Sequence, residues 1–296
     1  MNAFAKAIYG VLTVLFYIFG FCQLACEFFM SRLKFLLFKL KNKPRPDDIF
    51  IVSYPKSGTT WMQMILYQLT TDGNMDFPHI GALIPHYEED LVARDFPFDG
   101  LRPPRVFKTH LVYQAIPKSK ARYIYLMRNG QDVAVSYYHH YRDLRGFKAP
   151  FSQFFRVFLQ GKVAYGSWFK HVAGWRAHGK KLNVLYVKYE DLSKDFKGTV
   201  TQIAEFCGIT VPEEAWPRIE ERCSFAFMKS HEKQFDLSQW LHVRCELTAN
   251  RHLREGKTGG GAEKLDPQQL ALYEKFFNRY LGKRGLADYD ARKAKG

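Results

Sequence analysis

Cysteine is scarce and odd in number in this 296-residue chain: of five residues, Cys22 and Cys26 fall inside an apolar run, and Cys207, Cys223 and Cys245 have no metal-ligand spacing. That set gives no disulfide framework and no zinc signature, and it fits reduced thiols in a cytoplasmic domain. Acidic residues are also short, 29 Asp and Glu against 44 Lys and Arg, for a formal charge of +15. The excess points to anionic partners, whether nucleic acid, an acidic membrane surface or polyphosphorylated ligands, and charge alone does not choose among them. There is no obvious internal repeat and no low-complexity block. The length permits one large α/β domain with little left for a second.

What is present begins with an uncharged run at residues 7–26, AIYGVLTVLFYIFGFCQLAC. As a helix it spans roughly the 30 Å of bilayer hydrocarbon. Lys6 precedes it, whereas Arg32, Lys34, Lys39, Lys41, Lys43 and Arg45 follow it. The positive-inside bias then predicts a membrane-anchored protein with its catalytic domain on the cytoplasmic side. A cleaved signal peptide is the competing reading. Residues 28–41 interleave large apolar and basic side chains, as a helix lying on anionic headgroups does, and Asn42 to Asp48, with Pro44 and Pro46, reads as a linker. The expected organisation is a membrane segment and basic linker at 1–46 and a catalytic domain at 47–296.

Within that domain, short apolar runs at 49–53, 105–109, 121–126 and 182–187 read as buried parallel strands. Helical patterns occupy about 62–69, 131–144, 151–159, 166–178, 199–207, 213–221 and 267–280. The alternation predicts an α/β fold: a P-loop-like doubly wound sheet, mostly parallel, with helices on both faces. Ligands in such sheets sit beyond the carboxyl ends of the strands, so the segments after 53, 109 and 127 can share one cleft.

The first of these segments is Tyr54-Pro55-Lys56-Ser57-Gly58-Thr59-Thr60-Trp61. A strand running through a tight turn into a helix aims backbone N–H groups at an anion. Gly58 allows close approach, Lys56 supplies a mobile charge, and Ser57, Thr59 and Thr60 supply hydroxyls. The nucleoside triphosphatase loop G-x-x-x-x-G-K-[ST] is absent, because Lys56 precedes the only Gly. The second segment, Lys108-Thr109-His110-Leu111, carries an imidazole able to accept a proton near neutral pH. The third, Arg128 to Ser136, sets a guanidinium at a strand end and a hydroxyl two turns into the next helix, both suited to a phosphate.

Together these strings resemble the sulfotransferases that use 3′-phosphoadenosine 5′-phosphosulfate (PAPS), and more narrowly the cytosolic sulfotransferases, over roughly Asp47 to Tyr280. The resemblance implies a 5′-phosphosulfate loop at 56–61, His110 as the base on the acceptor, Lys108 as partner to the sulfuryl group, and Arg128 with Ser136 on the 3′-phosphate. It places Tyr189 of Tyr189-Glu190-Asp191-Leu192 beside the adenine. It also sets Ser224 and Phe225 of Cys223-Ser224-Phe225 over the adenine, opposite Trp61. Arg254 and Gly256 fall where the family holds the 3′-phosphate again, although Glu255 stands for a Lys and Gly260-Gly261-Ala262 for Asp-Trp-Lys. The dimer segment common in the family is not visible between Glu263 and Leu272, so oligomeric state is left open. Glu190 and Asp191 read as acids at a helix start.

The expected activity is transfer of a sulfuryl group from PAPS to a hydroxyl or amine of a small or lipophilic acceptor, without a metal and without nucleic acid as partner, yielding 3′,5′-adenosine bisphosphate. The enzymatic rival is an adenine-nucleotide-dependent small-molecule kinase, which needs an acidic metal ligand at a strand end; neither run ending at Lys108 or Arg128 has one. The non-enzymatic rival is a basic membrane or nucleic-acid module, which explains the charge but leaves His110 unused.

Overall fold

In a computed structural model of the chain, the described residues are 43–88, 100–236 and 259–282. Apart from Lys43 and Glu88 they lie in the compact unit formed by Pro44–Tyr87 and Asp99–Gly296. Residues 7–26, Arg254 and Gly256 lie outside the described residues.

Four strands form one parallel sheet: β1 (Ile49–Ser53), β2 (Val106–Thr109), β3 (Arg122–Met127) and β4 (Asn183–Lys188), in the order β2-β1-β3-β4. β1 is central, with Ile49 opposite Val106 on one side and Arg122 on the other. Every residue of β1 is buried, as a strand covered on both faces requires, which is why its sequence is continuously apolar rather than alternating. The register begins with Asp48, fully buried, whose carboxylate accepts from Arg105 Nε at 2.8 Å and Nη2 at 2.7 Å just ahead of β2.

The period of two divides the core. Ile49 and Ile51, with Val106, Ile124, Leu126 and Val187, pack on Met62, Ile65, Leu66 and Leu69 of α1 (Thr59–Thr70). In sequence order α1 is followed by α2 (Ile80–Leu83), α3 (Gly130–Arg145), α4 (Phe151–Leu159), α5 (Trp168–His178), α6 (Tyr189–Lys194) and α7 (Phe196–Cys207). Val200, Ile203, Ala204 and Cys207 of α7 join the same apolar cluster as α1. On the other face the packing is aromatic. Phe50 stacks on Tyr123 at 5.3 Å, and Tyr125 meets Trp175 and His171 of α5 at 5.3 and 5.7 Å. Burying each such side chain contributes about 1.5–3 kcal/mol.

The chain continues through α8 (Trp216–Arg222), α9 (Phe225–Ser230), α10 (Gly260–Glu263) and α11 (Pro267–Tyr280). The three later strands each begin one residue after the position expected from sequence, and α1 begins three residues earlier than its apolar pattern does. The order β2-β1-β3-β4 reverses direction at β1/β3, so the segments leaving those two strands diverge and open a crevice between them.

Candidate active site

The segment leaving β1 reaches α1 through two left-handed residues, Lys56 at φ 69° and Gly58 at φ 98°. A Cβ at Gly58 would fall 2.5 Å from Cδ2 of Tyr189, so the position demands glycine for its conformation and for the ring beside it. Gly58 is also the N-cap of α1, which has no side-chain cap and no acid in its first turn. By contrast α3, α5, α7, α9 and α11 start on Asn129, Ser167, Asp195, Ser224 and Asp266, each accepting from its own helix. The start of α1 therefore keeps the positive end of its dipole toward the crevice. Ser57 is buried, and Lys56 and Thr60 are half-buried.

His110 follows β2 and is tied to the end of β1. Its Nδ1 lies 2.8 Å from the carbonyl oxygen of Ser53 and 3.4 Å from the Ser53 hydroxyl, which is 2.7 Å from the hydroxyl of Thr59 at the start of α1. A carbonyl only accepts, so Nδ1 carries the proton and the neutral ring has its basic lone pair on Nε2. The rings of His86 and Tyr165 each stand edge-on to His110 with centroids 5.1 Å away. His86 comes from a short stretch along the outer edge of β2: Lys108 donates from its amide to Pro85 O at 3.0 Å, and Tyr87 donates to Lys108 O at 2.8 Å.

Arg128 leaves β3 toward the same loop, donating from Nη1 to the Lys56 carbonyl at 3.2 Å, and its guanidinium lies 4.4 Å over the ring of Tyr189. Tyr189 in turn meets Trp61 edge-on at 5.2 Å, and Trp61 Nε1 donates to Cys223 O at 2.8 Å. That bond brings the start of α9, with Ser224 as its cap and Phe225 exposed, to the rim formed by Trp61. Ser136 is half-buried on α3, two turns beyond Gly130. Glu190, in the first turn of α6, accepts from the Asn129 amide at 3.2 Å, and burial raises its carboxyl above the usual range. The sequence reading of Glu190 as an acid at a helix start holds, with a second duty of joining α6 to α3.

Three contributors have no counterpart among the residues singled out from sequence. Ser53 links loop and imidazole. Asp132, in the first turn of α3, accepts from the amides of Gly259 at 2.9 Å and Gly261 at 2.7 Å and stands 3.9 Å from Arg128 Nε. His171, fully buried on α5, reaches the carbonyl of His110 from Nε2 at 3.2 Å. Each is a common residue type at a strand end, helix start or helix face, with no local pattern to mark it.

Residues 46–285 match the sulfotransferase domain family. The chain belongs to that family. It is a sulfotransferase enzyme. Among curated relatives, sulfotransferase 1E1 of Homo sapiens is 38% identical over 251 residues, covering 80% of this chain and 83% of that protein. Sulfotransferase 1 family member D1 of Rattus norvegicus is 31% identical over 255 residues, covering 81% and 84%. A crystal structure of the mouse sulfotransferase SULT7A1, complexed with PAP, superposes with a TM-score of 0.65 at 32% identity, covering 82% of this chain and 88% of that one.

These matches correct one expectation. The family match covers residues 46–285 and leaves the run at 7–26 outside it, and among the described residues no helix is long and apolar enough to cross a membrane, so the membrane-anchored location read from residues 7–26 is withdrawn. The reason is physical: an uncharged run followed by basic residues has the same hydropathy and charge bias wherever its chain resides.

Proposed function

We propose that this sulfotransferase moves the sulfuryl group of PAPS to a hydroxyl or amine of a small-molecule acceptor by in-line displacement, with His110 as general base and residues 47–296 as the catalytic domain. The observation that carries the reading is the chain of contacts from His110 Nδ1 to Ser53 and on to Thr59, because it holds a base with a defined tautomer against the start of the uncapped helix.

PAPS supplies the sulfuryl group and the phosphate leaving group. The amides and hydroxyls of Ser57, Gly58, Thr59 and Thr60 suit its 5′-phosphosulfate, and Arg128 and Ser136 suit its 3′-phosphate, with Arg254 and Gly256 completing that subsite. Trp61, Tyr189, Ser224 and Phe225 offer ring faces and an edge to adenine. The fit rests on the left-handed Gly58 under the Tyr189 ring, a passage of bare backbone that an added Cβ would fill. The mouse relative complexed with PAP supports the same ligand class, which we read as the bisphosphate product.

His110 Nε2 takes the acceptor proton as the acceptor oxygen or nitrogen forms its bond to sulfur. Lys56 neutralises charge on the departing phosphate, and Lys108 neutralises charge on the sulfuryl oxygens; both act through charges already in place, so little reorganisation is needed. The flanking rings of His86 and Tyr165 set aromatic faces beside His110, which suits a lipophilic alcohol or phenol as acceptor.

The test is His110→Ala. Turnover of PAPS against an acceptor panel is expected to vanish while 3′,5′-adenosine bisphosphate still binds in calorimetry. Full activity in that variant removes the base assignment.

A further inference from the structure

A general base must point as well as titrate, and the backbone that carries His110 is held from behind. Nε2 of His171 lies 3.2 Å from the His110 carbonyl, and Nδ1 of the same ring lies 2.8 Å from the hydroxyl of Tyr125 on β3. The carbonyl can only accept, so Nε2 of His171 carries the proton. In the neutral ring Nδ1 is then the acceptor, and Tyr125 donates to it. One turn further along α5, Trp175 Nε1 donates to the Leu111 carbonyl at 3.1 Å. Two consecutive carbonyls after β2 are thus gripped by side chains at i and i+4 of a single helix face.

His171 is fully buried, stacked on Tyr125 at 5.7 Å and edge-on to Tyr54 at 5.7 Å. Its ring therefore has a fixed orientation, and through its N–H it fixes the peptide plane from which the His110 side chain projects. The imidazole of His110 is then restrained at both ends, by Ser53 at the ring and by His171 at the main chain.

We infer that His171 is a positioning residue for His110: its Nε2–H, oriented by the Tyr125 hydroxyl, sets the direction in which the base presents Nε2 to the acceptor. The inference rests on the base reading of His110. Without the N–H donor the peptide between His110 and Leu111 loses one of its anchors and the imidazole tilts. A misplacement of about 1 Å costs a reaction of this kind about 10²-fold in rate.

The experiment compares His171→Phe, which keeps a ring but no donor, with His171→Gln, whose side-chain amide returns a donor close to the place of Nε2. Both are measured for kcat, for KM of PAPS and acceptor, and for binding of 3′,5′-adenosine bisphosphate. His171→Phe is expected to lower kcat by about 10–100-fold with bisphosphate affinity unchanged, and His171→Gln to recover most of that loss. In a His110→Ala background, which has no turnover to lose, adding His171→Phe is expected to leave bisphosphate affinity unchanged.

An unchanged kcat in His171→Phe overturns the inference. So does an equal loss in the Phe and Gln variants, or a fall in bisphosphate affinity that accompanies the loss of kcat. If His171→Phe does not fold, the Gln variant and Tyr125→Phe decide: near-parental kcat in the first with a several-fold drop in the second supports the relay, and the reverse order overturns it. Full activity in His110→Ala would instead remove the base reading, so the two failures are told apart.

Discussion

Replacing Gly58 by alanine isolates the most demanding point in the loop between β1 and α1. The residue sits at φ 98°, where an L-amino acid pays about 1–2 kcal/mol. The new methyl group would lie 2.5 Å from Tyr189 Cδ2 and 2.7 Å from Cε2, and that ring is buried. Displacing a packed ring costs about 1–3 kcal/mol more, for a total of about 2–5 kcal/mol. At roughly 2–4 °C per kcal/mol in a chain of this size, the melting temperature should fall by about 4–20 °C. Because the Arg128 guanidinium lies 4.4 Å over the same ring, affinity for 3′,5′-adenosine bisphosphate should fall with it. Scanning calorimetry with and without the bisphosphate measures both effects. Repeating the substitution in a Tyr189→Ala background removes the collision and should leave only the backbone cost, about 1–2 kcal/mol. A Gly58→Ala protein that melts within about 1 °C of the parent and binds nucleotide equally well would refute the geometry of the loop.

The remaining predictions concern buried charge. Asp48→Ala leaves the buried Arg105 guanidinium without its two carboxylate contacts, and should cost about 3–5 kcal/mol in denaturant unfolding. A loss under about 1 kcal/mol would mean the pair does not hold the starts of β1 and β2 together. Glu190 has its carboxyl raised by burial, with Asp132 adding to the rise and Arg128 opposing it. A raised acid is best tolerated protonated, so its favourable contribution is full below the ordinary carboxylate pKa of about 4.3 and is lost as pH climbs through the raised value. Glu190→Gln keeps the oxygen that accepts from Asn129 and carries no charge, and should therefore be more stable than the parent at neutral pH and lose that advantage on acidification. Paired melting curves from acid to neutral pH check the sign, and a Gln variant that is less stable throughout contradicts it.

The sheet is legible from sequence because β1 and β3 are short apolar runs buried on both faces, and burial of that kind leaves an unbroken hydrophobic string such as Ile49 to Val52. The start of α1 was placed late because Thr59 and Thr60 are polar and enter the helix without an apolar signal. α2, α6, α9 and α10 run for only four to six residues, too short to display a helical period; α2 and α9 have side-chain caps at His79 and Ser224, and α6 and α10 have none. The site divides along the same line. Lys56 to Trp61, His110 and Arg128 stand at strand ends in recognisable strings, and the fold brings their segments together around the β1/β3 crevice. His171 was invisible because a lone histidine on an apolar helix face looks like any other core residue; what distinguishes it is which carbonyl it meets, a fact of tertiary structure.

The departure at 259–262 illustrates how a chain meets a requirement by another route. Where the resemblance leads one to expect Asp-Trp-Lys, Gly260-Gly261-Ala262 offers no side chain with which to fasten the loop. The fastening comes from the main chain: the amides of Gly259 and Gly261 donate to the two carboxylate oxygens of Asp132. That approach is so close that a Cβ at Gly261 would fall 2.5 Å from the Asp132 amide nitrogen, so glycine at 261 is a condition of the contact and not merely a lack of side chain. Asp132 also lies in the first turn of α3, where the helix dipole favours a carboxylate, and 3.9 Å from Arg128 Nε. A single carboxylate therefore couples the guanidinium that leaves β3 to the end of the glycine segment.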